Sequence, residues 1–157
     1  MKKRLFAIYM CVFLSIFVML SACSTEKSLG FEMGNGEIIK VTLDTENGYD
    51  LLAEGSSIIV QKDRKDILSG LIITNDGFEA NAQFAIENPD EIEIIEAIPE
   101  DAPTLLIYQY DVEDGKEIDF LFRIENSEYA GVFVSFSTYD EAKSAFDRMA
   151  CRATPRK

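Results

Sequence analysis

Residues 104–136, TLLIYQYDVEDGKEIDFLFRIENSEYAGVFVSF, decide how this chain folds. Leu106, Tyr108, Tyr110 and Val112 recur at every second position, the period of a strand that shows one face to a core. Asp114-Gly115 then offers the backbone freedom that a tight hairpin needs. Beyond it Ile118, Phe120, Phe122 and Ile124 alternate with Glu117, Asp119, Leu121 and Arg123. Asn126-Ser127-Glu128 turns the chain again, into a third strand over Gly131–Phe136. Three consecutive strands with short turns form an antiparallel meander.

Working outward, a helix follows the meander. Thr138 and Glu141 have capping-box spacing, and Ala142, Ala145, Phe146, Met149 and Ala150 fall on one apolar stripe. Asp140 and Glu141 near its start and Arg148 and Arg152 near its end suit the helix dipole. This reading carries Cys151 on the last helical turn and leaves Ala153–Lys157 as a frayed tail. Upstream, Glu37–Leu43, Ser57–Lys62 and Ile67–Thr74 read as strands, the last two joined as a hairpin across Asp63-Arg64-Lys65-Asp66. Phe78, Ala80, Ala82, Phe84 and Ile86 alternate with Glu79, Asn81, Gln83 and Glu87, which predicts another half-buried strand. Glu91–Ile98 returns as a strand after the Asn88-Pro89-Asp90 turn. The expected fold class is α+β, an antiparallel β-sheet with a C-terminal α-helix packed on it, in a single domain over residues 37–152.

The N-terminal region reads as an address. Lys2, Lys3 and Arg4 precede an uncharged apolar run from Leu5 to Leu20, short for a membrane span and suited to the core of a signal peptide. The run ends in Leu20-Ser21-Ala22-Cys23. With those four residues the sequence resembles a bacterial lipoprotein precursor, because they match that family's lipobox. The resemblance implies that Leu20, Ser21 and Ala22 are recognised by the signal peptidase, that residues 1–22 are removed, and that Cys23 becomes a lipidated N-terminus. It further implies a protein anchored to the cell membrane and facing outside the cytoplasm, on the extracellular face or in the periplasm. Ser24 is compatible with export to an outer membrane. Residues 23–36 are small, polar and glycine-rich after the cysteine and read as a flexible tether. With Cys11 in the leader and Cys23 lipidated, Cys151 has no partner for an intramolecular disulfide.

A second resemblance rests on the run from Lys116 to Ala150, KEIDFLFRIENSEYAGVFVSFSTYDEAKSAFDRMA. It is similar to the end of PsbP-like domains, a group that includes photosynthetic extrinsic subunits and a Ran-binding nuclear-import factor. That likeness implies an α/β/α sandwich around the antiparallel sheet and a non-catalytic binding or assembly role. It transfers no functional residue.

Composition narrows the chemistry. The 157 residues hold 28 acids against 15 bases, a net charge of −13, and no histidine or tryptophan. Without residues 1–22 the balance is 12 bases to 28 acids, or −16, which repels phosphate backbones and argues against nucleic-acid partners. Absence of histidine excludes Ser-His-Asp and Cys-His catalysis and every histidine-ligated metal. Neither Gly-x-Ser-x-Gly nor a glycine-rich phosphate loop after a strand is present. Asp111, Glu113 and Asp114 gather at one hairpin tip and Asn75-Asp76-Gly77 at another turn. They are the candidates for calcium, but their spacing is not that of an EF-hand, and ordinary turns are the favoured explanation. Tyr49, Tyr129 and Tyr139 are the aromatic candidates for a ligand platform, with edge-of-core packing as the simpler role. The sequence therefore predicts no cofactor and no enzyme, but a lipid-anchored domain with a protein partner. The alternative is a small-ligand or divalent-cation binder. A carboxylate enzyme would require two acids facing each other across a cleft.

Overall fold

The predicted meander is the centre of the fold. In the computed structural model, which describes residues 25–100, 102–113 and 115–154, β7 (Leu105–Val112), β8 (Gly115–Arg123) and β9 (Tyr129–Ser135) are consecutive and antiparallel. They belong to a seven-stranded antiparallel sheet completed by β3 (Tyr49–Glu54), β4 (Ser57–Lys62), β5 (Lys65–Thr74) and β6 (Ile92–Ile98), in the order β3-β4-β5-β9-β8-β7-β6. The β4–β5 hairpin turns on Asp63 and Arg64, at φ +50° and +68°, the left-handed pair that matches the twist of the flanking strands. A second, three-stranded sheet has β2 (Ile38–Asp44) between β1 (Glu26–Glu32) and β10 (Met149–Thr154). The helices are α1 (Asn75–Glu87) and α2 (Tyr139–Phe146).

Both faces of the large sheet are covered, so β8 is buried on both sides. Phe120 is fully enclosed in one core, with Ile39, Val41 and Leu43 of β2 and Ala142 and Ala145 of α2. Its neighbour Leu121 points the other way, into a second core with Phe78, Ala82 and Ala85 of α1. The C-terminal helix thus packs on the sheet as the sequence predicts. Its partner layer is mixed, because the small sheet shares that face. Phe146, half-buried, stacks on Phe120 at 4.8 Å and meets Phe122 edge-on at 5.3 Å.

Five sequence expectations require correction. Residues 78–86 form the body of α1, not a strand. Thr74 caps the helix, its hydroxyl accepting from the Gly77 N–H at 3.2 Å, and the buried residues are Phe78, Ala82 and Ala85. That is helical spacing, whereas Phe84 and Ile86 of the apparent alternation lie 57% and 53% exposed. Residues 26–32 are not a tether but β1, in which Leu29 and Phe31 pack on the first core.

The last helix is also shorter than expected. It ends at Phe146, and Met149, Cys151 and Ala153 turn to strand spacing because β2 has an edge for them to pair with; Cys151 lies opposite Val41. Tertiary pairing here overrides local helical pattern. Ala153 and Thr154, expected to fray, belong to β10. Finally, Thr138 occupies the N-cap of α2, but its side chain makes no capping hydrogen bond.

Two glycines let aromatic rings lie flat against the sheet. Gly131 sits opposite Phe122, and a Cβ there would come within 2.2 Å of that ring; Gly70 stands in the same relation to Phe133, at 2.5 Å. Overpacking a closed core costs about 1–3 kcal/mol. Gly131→Ala is therefore expected to lower stability by about 1–3 kcal/mol in denaturant titration, and an unchanged midpoint would show that Phe122 does not lie over the glycine.

Candidate functional site

The strand pleat and the β7–β8 register assemble a polar cluster on the face under α1. Tyr108 is directly opposite Asp119, and Tyr110 is directly opposite Glu117. Side chains two apart on a strand share a face, so two tyrosines and two acids form a square. The Tyr110 hydroxyl donates to Glu117 Oε1. Asp119 lies beside Tyr108 and Glu117, close enough for both to perturb its carboxyl.

Asp119 is the unusual member. It is 7% exposed, one of only two buried polar side chains among the described residues; the other, Ser135, donates to the Ile67 carbonyl at 2.6 Å. Oδ1 of Asp119 is sealed from solvent with no hydrogen-bond partner. A buried acceptor without a donor costs about 1–3 kcal/mol, more when charged. Burial is the main reason that its carboxyl is pushed up to about 6 from an ordinary 3.8; the Tyr108 hydrogen bond opposes this, and the nearby Glu117 carboxylate adds to it. Burial, with the Asp119 charge, also raises Tyr108. Burial and the Glu117 hydrogen bond raise Tyr110. Both phenols therefore stay protonated near neutral pH and act as hydrogen-bond donors.

A cavity of about 660 Å³ opens beside the square. It is lined by Asn81 and Phe84 of α1, Asp90 and Glu91 of the following turn, Ile92 of β6, Tyr108, Tyr110 and Asp111 of β7, and Asp119 of β8. Its size is that of a small-molecule site. The lining includes four acids and no lysine or arginine.

A larger cavity, about 1350 Å³, lies elsewhere and includes Asn75, Arg123, Glu128, Cys151 and Arg152 in its lining. Asn75 Oδ1 there lacks a partner too. The amide is neutral, however, and its nitrogen already donates to the Ser127 carbonyl at 3.1 Å. The Cys151 thiol is pushed up to about 12 by burial, so it stays protonated and unreactive. The smaller cavity holds the buried carboxyl of Asp119 and is the stronger candidate.

The sequence-level candidates fall mostly elsewhere. Of the calcium candidates, Asp111 lines the cavity, Glu113 is exposed, and Asp114 lies outside the described residues. Among the described residues no three acids or thiols converge on a metal position. Asn75, Asp76 and Gly77 are the first turn of α1 rather than a loop. Tyr49 is buried, with Arg148 over its ring at 4.8 Å; Tyr129 and Tyr139 are half-buried against the first core. Glu117 and Asp119 are neighbours on one strand, not acids facing each other across a cleft. Leu20, Ser21, Ala22 and Cys23 lie outside the described residues. No helix among the described residues is long and apolar enough to cross a membrane. No protein family, curated protein or solved structure matches the chain.

The raised Asp119 pKa has a signed consequence for stability. The folded state holds the proton more tightly than the unfolded chain, so the stabilisation is complete below about pH 3.8 and is lost as pH rises through about 6. The difference amounts to about 2–3 kcal/mol. Asp119→Asn cannot ionise. At pH 7.5 it is expected to melt above the wild type, with the gap closing as the pH falls to 4.5. A variant that melts lower than wild type at pH 7.5 would contradict the unpaired, desolvated carboxylate.

Proposed function

We propose that this protein is a lipoprotein, anchored through Cys23 outside the cytoplasm, whose domain binds a small molecule between α1 and the β7–β8 hairpin. One observation carries the binding reading: a buried carboxyl with an unpartnered oxygen belongs to a side chain lining a ligand-sized cavity. A fold has no structural use for such a group, and active or binding sites are where strongly perturbed acids concentrate. The lipobox supports the anchor, and two or more acyl chains hold a protein on a bilayer stably.

Binding is favoured over catalysis. The phenols remain protonated near neutral pH, and the two acids of the square stand side by side rather than flanking a scissile bond. A second reading, assembly with a protein partner, draws on exposed apolar residues: Phe84 and Ile86 on α1, and Ile94 and Ile98 on the edge strand β6. The PsbP-like resemblance points the same way. The cavity supports the small-molecule reading more strongly, because exposed apolar side chains are common on ordinary surfaces and a buried orphan carboxyl is not.

The anchor and the binding function are tested separately. Cys23→Ser should release the protein from membranes or leave it as a larger unprocessed precursor. A variant of mature size that stays in the membrane fraction would refute lipidation at Cys23. For the cavity, the side chain introduced by Asn81→Trp should fill it and abolish small-molecule adducts seen by native mass spectrometry of the protein from its own cells. Adducts that persist in that variant would refute this site.

A further inference from the structure

We infer that the cavity between α1 and the β7–β8 hairpin selects an organic cation, an ammonium carried on a flat or aromatic body, with Asp119 as its counter-ion. The inference rests on the small-molecule reading above and names the ligand's chemistry.

Charge comes first. Asp90, Glu91, Asp111 and Asp119 line the cavity without any lysine or arginine, and Glu117 stands beside Asp119 on the same face of β8. An anionic ligand would meet repulsion from every ionisable carboxyl. Exposed acids alone would say little, but Asp119 is buried and its Oδ1 has no donor. Asp119 belongs to the cavity lining, so an N–H group of a ligand there can pair with its carboxylate. A neutral ligand without a donor leaves the carboxylate unpaired.

The walls select an organic cation over a metal ion. Among the described residues no three acids converge as ligands, and a metal needs several oxygens at short range. Phe84, Ile92, Tyr108 and Tyr110 provide apolar and aromatic surface instead. The two tyrosine rings, 6.4 Å apart and 24° from parallel, belong to this lining, and aromatic rings attract an ammonium.

Binding must then depend on pH, since the cation needs the ionised carboxylate. The titratable groups around Asp119 are Tyr108, Tyr110 and Asp111 of β7, Glu117 of β8, and Asp90 and Glu91 of the α1–β6 turn; α1 contributes Asn81 and Phe84, β6 Ile92, and β9 places Val134 opposite. No lysine or arginine is among these groups. Glu93 on β6 is already bonded by Gln109 at 2.5 Å.

Calorimetry on the full chain in detergent tests this with three probes of one shape: 2-phenylethylamine, 2-phenylethanol and phenylacetate. The amine is expected to bind at pH 7.5 at least tenfold more tightly than the other two, and to weaken at least tenfold at pH 5. It should also weaken at least tenfold in Asp119→Asn at pH 7.5. Asn81→Trp, which blocks the cavity without touching its charge, should abolish binding. An amine that binds no better than the alcohol, or equally well to Asp119→Asn, overturns the cation inference. If the alcohol or the acid binds and Asn81→Trp removes it, the small-molecule reading survives that result. If no probe binds and the native protein carries no small-molecule adduct, both readings fall.

Discussion

The packing of α1 onto the meander governs the rest of the structure. Its Phe78, Ala82 and Ala85 stripe closes over Leu106, Tyr108, Leu121 and Ala130, and this contact turns a sheet with one wet face into one covered on both. The small alanines bring the helix close. Arg123 lies over the Phe78 ring at 4.3 Å and pairs with Glu79, tying the first turn of the helix to β8. Near the other end of α1, Asn81 and Phe84 line the cavity with Tyr108, Tyr110 and Asp119. The same helix therefore builds the second core and desolvates the carboxyl. Without α1 in place, Asp119 would be an ordinary solvated residue on the polar side of an amphipathic strand.

That dependence explains what could and could not be read from the sequence. The β7–β9 meander was legible because three strands in succession alternate cleanly and their turns carry turn-forming residues. The burial of Asp119 was not, since residues 78–86 mimic strand alternation. The discordant signals were Ala85, which breaks the period of two, and Thr74, three residues before Gly77 in helix-capping position. Once these residues are a strand, nothing remains to cover the Glu117–Asp119–Leu121 face, and it reads as solvent-exposed. The cluster itself also turns on register. A hairpin centred on Asp114-Gly115 would set Tyr110 against Asp119, whereas Val112 lies opposite Gly115 and brings Tyr108 to Asp119. A shift of this kind keeps residues on the same face but changes every pair.

The other misreadings share one cause, long-range pairing that no local pattern announces. β1 and β10 are weak strands by composition, one rich in small and polar residues and the other continuing a helical stripe. Each is recruited by β2, whose Ile39, Val41 and Leu43 are fully buried. The edges of a short apolar strand are costly to leave open, and the segments before and after the large sheet close them. The small sheet and α2 then insulate the opposite face. The cavity face is left as the one where a stable core gives way to polar groups held against their solvation preference.

Such an arrangement costs stability, and under the proposed reading it serves recognition. A leucine at position 119 would leave no unpaired oxygen, and the proposed ligand accounts for the carboxyl. The most direct test is the titration of the Asp119 carboxyl carbon by NMR in the ligand-free protein. The account predicts a midpoint near 6, well above the ordinary 3.8 for aspartate. A midpoint at or below the ordinary value would mean that water or a donor already reaches the carboxylate, and the site built around it would lose its basis.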